Sequence, residues 1–245
     1  MESLIGTAKD RRRARIIGNT HRGALQDGVL KQVCHWLMVG ALQPGQTITL
    51  RHLAEILGTS AMPVREAINQ LTAANALEML PNRSVAVPRI SAKRYKELTL
   101  VRQALEGLAA ELACANVTST LIRKLTDINI KLRRAIKNRD TLDCLSTNQA
   151  FHFTLYAAAD AEILQPMIES LWLQAGPIMY LSLTSSDGPW DASCHEEVLA
   201  ALKTKDPVAV RRAIKHDLGQ TAKSLLRSSI FKSGNGRLVH LAASL

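Results

Sequence analysis

Aromatic side chains are scarce, at 4% of the 245 residues. That leans the fold towards helix. There is no glycine-rich phosphate loop, no GxSxG and no HExxH, so the common catalytic signatures are missing and an enzyme is the weaker reading. The cysteines Cys34, Cys114, Cys144 and Cys194 are scattered without CxxC spacing, which argues against both a zinc knuckle and a disulfide framework. No apolar run approaches the roughly 18 residues of a membrane span, and no basic-then-apolar leader opens the chain. A cytoplasmic protein with no membrane partner is therefore expected. Acid is also short relative to base: 21 Asp and Glu stand against 31 Lys and Arg, a formal charge of +10. The excess is concentrated towards the N-terminus, where residues 1–90 carry 11 basic and 6 acidic residues. A surplus placed this way suits contact with nucleic-acid phosphate.

What is present explains that surplus. The stretch LRHLAEILGTSAMPVREAI, Leu50 to Ile68, has the spacing of a helix-turn-helix. Small Ala54 lets a second helix cross closely. Gly58 supplies a left-handed turn that a side chain with a Cβ resists. Val64 and Ile68 return the second helix to the core. Ser60 is positioned as its N-cap, and Pro63 is tolerated in the first turn. Such a helix presents its N-terminal half, including Ser60, Met62 and Arg65, to a major groove. The segment Leu77–Leu80, the turn Pro81–Ser84 and the segment Val85–Val87 predict a two-stranded wing directly behind it.

The organisation follows. Residues 1–22, with RRRAR at 11–15, predict a flexible basic arm, and residues 23–90 a winged helix-turn-helix domain for double-stranded DNA. Residues 91–228 predict an all-α bundle, and residues 229–245 a tail. Within the bundle, Leu98, Val101, Leu105, Leu108 and Leu112 form one apolar stripe, and Val210, Ile214, Leu218, Thr221 and Leu225 another. Gly176-Pro177 and Gly188-Pro189 are expected to interrupt helices. The stripes exceed what a small bundle buries, so a homodimer on a pseudo-palindromic operator is expected.

Two features of the bundle point to a ligand. Asn148 and His152, one turn apart, share a helix face, and His195 and His216 stand on two further helices. Three imidazoles and one oxygen suit a divalent ion such as zinc or nickel, although histidines on helices are also ordinary packing residues. Arg102 lies in the first apolar stripe and needs a counter-charge, because an unpaired buried guanidinium is costly. Glu106, at i+4, is one candidate; the carboxylate of a bound effector is the other.

The blocks VGALQPG (Val39–Gly45), LAEILGTSAMPVREAINQL and PNRSVAV resemble the DNA-binding domain of the GntR family of bacterial transcription regulators. Val101-Arg102-x-x-Leu105-Glu106, Asn148-x-x-x-His152 and the pair His195 and His216 resemble the FCD effector domain of its FadR subfamily. The resemblance spans about residues 24–228. It implies a dimeric regulator, in our reading a repressor, modulated by a small organic acid bound at a divalent metal. It further implies DNA contacts from Arg51, Arg65, Asn82 and Arg83, metal ligation by Asn148, His152, His195 and His216, and an effector-facing Arg102. Three positions depart from the family pattern. Ala61 replaces an arginine at the start of the recognition helix and cannot make a bidentate guanine contact. Ser84 replaces a wing glycine, and Asn148 replaces the commoner aspartate ligand. A metal-dependent enzyme fused to a DNA-targeting domain and a non-specific architectural protein are the competing expectations.

Overall fold

The computed structural model describes residues 27–81, 84–184, 190–228 and 231. The chain divides into two compact units. The described residues up to His35, with Thr47–Ala86, form the first; Trp36–Gln46, with the chain from Val87, forms the second. The basic arm, the wing tip Asn82-Arg83, Gly188-Pro189 and most of the tail lie outside the described residues.

In the first unit, helix α1 (residues 27–38, its last turn counted with the second unit) buries Val29 and Val33. Strand β1 (Thr47–Thr49) leads directly into α2 (Leu50–Ile56). Thr49 caps that helix, its hydroxyl accepting the His52 N–H at 3.1 Å. The turn runs through Gly58 at φ +59°, the left-handed conformation its spacing predicts. Helix α3 (Ala61–Ala73) then buries Val64, Ala67, Ile68 and Leu71, one face at helical period. Behind it, β2 (Glu78–Met79) and β3 (Ser84–Ala86) form the wing. The wing has three strands where two are expected. β1 pairs antiparallel with β3, Thr47 opposite Ala86, so β3 is central in the order β1-β3-β2. Three residues, Thr-Ile-Thr, are too few for an alternation to register.

The second unit is all helix apart from its connections. It contains α4 (Ala92–Ala113), α5 (Ser119–Asn138), α6 (Thr141–Ala157), α7 (Leu164–Thr184), α8 (Ser193–Lys203) and α9 (Pro207–Arg227). Ser91, Thr118, Asp140 and Asp206 cap α4, α5, α6 and α9, each side chain accepting a backbone N–H three residues on. α4 packs on α9, α7 and α6, α5 on α6, and α8 on α9. α6 is central and buries Cys144, Leu145, Asn148, Phe151, His152, Leu155 and Tyr156.

Two expectations for this unit need correction. α7 runs unbroken through Gly176-Pro177. Packing overrides the local penalty there: a Cβ on Gly176 would stand 2.6 Å from Met38 Cα, so the glycine allows a close backbone approach that holds the helix across its proline. Most of the first stripe is also not buried. Tyr95, Leu98, Thr99, Arg102 and Glu106 are buried, whereas Val101, Leu108 and Leu112 are exposed at 46%, 38% and 43%.

Candidate metal centre and nucleic-acid interface

Burying Arg102 and Glu106 inside an all-helical core requires a network that satisfies them. Glu106 is fully buried and accepts from Arg102 Nε at 2.6 Å, from the Tyr156 hydroxyl at 2.7 Å and from Trp172 Nε1 at 3.0 Å. The Arg102 guanidinium also lies over the Trp172 ring, 4.7 Å from its centroid. Burial works against the Arg102 charge, but the adjacent Glu106 carboxylate more than restores it. Of the two counter-charges expected for Arg102, the structure supplies Glu106.

The network sets the next residue along. Burial, reinforced by Glu106, raises the Tyr156 hydroxyl well above its ordinary pKa, so it keeps its proton. That single proton goes to Glu106, so the 2.9 Å contact between Tyr156 and His152 Nδ1 is an N–H donated by the histidine. The other nitrogen, Nε2, faces Asp217 Oδ2 at 3.2 Å. His195 is oriented in the same way. Its Nδ1 donates to Asn129 Oδ1 at 3.1 Å, and its ring stacks on Phe151 at 3.8 Å between centroids. Burial drives its pKa down to about 3, opposed by Asp217 and assisted by His152, so the imidazole is neutral with its Nε2 lone pair available. Burial alone would raise the Asp217 pKa, but its hydrogen bond with His152 and the nearby positive charge of Arg102 hold it below the usual carboxylate value.

Ligand atoms of His152, His195 and Asp217 lie within 4.8 Å of one another. Two imidazoles, each with one nitrogen anchored by an outer partner, and one carboxylate make a donor set that fits a borderline divalent ion. Asn148, 5% exposed, lies one turn before His152 on the same face of α6.

The predicted ligand set is therefore only partly assembled. His152 and His195 come together, but His216 does not join them. It is exposed on the opposite side of α9, where its Nδ1 meets Glu197 Oε2 at 2.9 Å, and Asp217 takes the inward position. At about 100° per residue, His216 falls on the far side of the stripe Val210–Ile214–Leu218–Leu225 while Asp217 falls within it. The sequence contained that signal. It also contained a polar Asn129 in the buried stripe Leu125–Leu132 of α5, the residue that orients His195.

In the other unit, Met62 and Arg65 are exposed on α3, Met62 at 66%. Ser60 occupies the N-cap position but makes no side-chain capping bond. Arg51 projects from α2 with its side chain 91% exposed and pairs with Glu55 at 3.0 Å. Ala61, also exposed, begins the recognition helix with a side chain too short to reach a base edge.

Comparison with known proteins places these observations. The sequence model of the gntR family of bacterial regulatory proteins matches residues 25–87, and that of the FCD domain matches residues 97–220. The HTH-type transcriptional regulator McbR of Escherichia coli K12 is 34% identical over 184 residues, covering 74% of this chain and 83% of McbR. The probable D-xylose utilization operon transcriptional repressor of Paenarthrobacter nicotinovorans is 27% identical, covering 82% of this chain and 87% of its own length. The solved structure of E. coli McbR/YncC superposes with a TM-score of 0.77 at 32% identity, over 82% of this chain and 96% of that one.

Proposed function

The chain belongs to the GntR family of bacterial transcription regulators, with an FCD domain, and from that premise we propose that it is a sequence-specific repressor controlled by a small organic acid. Residues 23–90 read the operator and residues 91–228 bind effector and metal and dimerise. The observation that carries the reading is the division of α3 into a buried face of Val64, Ala67, Ile68 and Leu71 and an exposed face bearing Met62 and Arg65. Such a helix is held by its core side and free to lay the other in a major groove. Arg51, Ser60, Asn82 and Arg83 add phosphate or groove contacts.

The apolar face of α4 supports a homodimer. Val101, Leu108 and Leu112, exposed on one side of the helix, give a second copy something to bury. Two recognition helices would then meet the half-sites of a pseudo-palindrome. The protein acts in the cytoplasm, on the nucleoid.

The inner cluster is the effector site. A divalent ion, zinc or nickel, would be held by His152, His195, Asp217 and Asn148, and when bound would supply a Lewis-acidic centre for a carboxylate. Asn148 in place of an aspartate leaves Asp217 as the set's only formal charge, so a divalent ion retains one positive charge for an anion to neutralise. Arg102 acts through Glu106 and Tyr156 as a positioning residue for His152.

The test is calorimetric titration of small organic acids into wild type and Asn148→Asp, with metal and after chelation. Asn148→Asp should tighten metal binding and weaken the acid, because the new charge competes with the ligand's own. Chelation should abolish the effector response and spare much of the DNA binding. Equal acid affinity in metal-free protein would defeat the metal-linked reading.

A further inference from the structure

His216, turned away from the inner cluster, belongs to another set of ligand atoms. Cys194 and Glu197 stand at i and i+3 on α8, so both side chains leave one face of that helix. His216 meets them from α9. Ligand atoms of the three lie within 4.8 Å of one another, Cys194 partly buried and the other two exposed. An ion pair between His216 and Glu197 would account for two of these residues. It gives no reason for a thiol to point into the same space.

We propose that Cys194, Glu197 and His216 form a second metal site, selective for a thiolate-seeking divalent ion, zinc foremost, that ties the first turn of α8 to the middle of α9. The set is one sulfur, one nitrogen and one oxygen, each a donor zinc accepts, and three protein ligands with a fourth position open to water match the coordination of open zinc sites. Soft sulfur distinguishes it from the inner cluster, which has only nitrogen and oxygen donors. Zinc bond lengths of about 2.0–2.3 Å put tetrahedral ligands roughly 3.3–3.6 Å apart. The present separations reach that range by side-chain rotation, with the 2.9 Å His216–Glu197 contact opening slightly.

The proton balance is simple. Cys194 releases its thiol proton to solvent as sulfur binds. His216 binds through Nδ1, so its proton moves to Nε2. There Gln220, whose Nε2 now donates to His216 Nε2 at 3.0 Å, turns its amide to accept. Arg133 pairs with Glu196, leaving Glu197 as the α8 carboxylate directed at the site. The inner and outer sets alternate along the same two helices: Cys194 outside and His195 inside on α8, His216 outside and Asp217 inside on α9. The outer site does not require the inner one to be filled.

The experiment titrates Co2+ into the full-length chain and reads the near-ultraviolet thiolate-to-cobalt charge-transfer band, to which the inner cluster cannot contribute. We expect the band to report one Co2+ per chain, apart from any that the inner cluster takes up without sulfur, and to be bleached by Zn2+. Cys194→Ser should abolish it, and His216→Ala should weaken its binding at least tenfold. Glu197→Gln, at an exposed position, should shift or weaken it in a protein whose folding is not in question. Asp217→Asn should leave the band intact while removing any equivalent bound without sulfur, which separates failure of the inner site from failure of this one. No band in wild type, a band surviving Cys194→Ser, or one indifferent to His216→Ala would overturn the proposal.

Discussion

The recognition helix and the inner cluster show two opposite ways of carrying function on a helix. On α3 the side chains proposed to read DNA, Met62 and Arg65, are exposed, and the buried face is purely apolar. On α6 and α8 the proposed ligands are themselves core: His152 and His195 are 1% and 2% exposed. A surface like α3 can change its chemistry at little cost in stability. The inner cluster cannot, because each polar atom removed leaves a partner unsatisfied in a medium without water. Function and folding are separable in the first region and fused in the second.

The largest expected effect tests that fusion. Glu106→Ala leaves Arg102 buried without its counter-charge and strips Tyr156 and Trp172 of their acceptor. We expect a loss of about 3–5 kcal/mol in urea unfolding, as for breaking a buried ion pair. A loss under about 1 kcal/mol would show that water reaches the network and that the region is less core-like than its burial indicates.

The next effect is a dependence on pH. His195 titrates near 3 in the folded chain against an ordinary value of 6.5. Between those limits the unfolded chain takes up a proton that the folded one refuses. Stability is therefore full above about pH 6.5 and falls with acidification, by about 1.4 kcal/mol per pH unit, until the loss levels off near pH 3. The depressed pKa of Asp217 adds to the loss in the same direction, at the acid end. Unfolding of chelated protein at pH 7, 6, 5 and 4 measures the slope. His195→Asn should flatten it between pH 6.5 and 5, and an unchanged slope in that variant would assign it to other groups.

On the exposed side, Arg65→Ala should cost roughly 1–3 kcal/mol in operator binding if the side chain reads a base. If it holds only phosphate, the loss should be smaller and equal on random DNA, with a shallower salt dependence. In either case folding stability should move by less than about 0.5 kcal/mol. A larger change in stability would break the distinction between the two regions.

How much was legible in the sequence follows the same division. The helix-turn-helix is a local pattern, in which Ala54, Gly58, Val64 and Ile68 act within about four turns of helix. Their roles could be read directly, down to the left-handed Gly58. The inner cluster is made by side chains far apart in sequence, and nothing local distinguishes a ligand from its neighbour. Residue type selects His152 and His195, which the fold brings together, and equally selects His216, which it does not. Helical phase, not residue type, decides which of two adjacent residues faces the core. Arg102 was recognised as needing a counter-charge, but the tyrosine and tryptophan that share Glu106 come from α6 and α7 and left no trace near it.

The smallest effect separates two caps in the same unit. Thr49 caps α2 with a 3.1 Å bond to the His52 N–H, so Thr49→Ala should cost about 1 kcal/mol of folding stability. Ser60 stands at the same place on α3 but makes no capping bond, and its hydroxyl is exposed. Ser60→Ala should therefore change stability by no more than a few tenths of a kcal/mol. The N-terminal N–H groups of α3 favour an anion, and a phosphate oxygen is the anion a DNA duplex would bring there. Serine adds one donor to that contact, so its loss should weaken binding to operator and random DNA by similar, small factors, on the order of 0.5–1 kcal/mol. Paired unfolding curves and fluorescence-anisotropy titrations on the two variants make the comparison. If Ser60→Ala destabilises the fold as much as Thr49→Ala and leaves DNA affinity untouched, Ser60 is a structural cap, and the start of α3 is not where the protein holds the backbone.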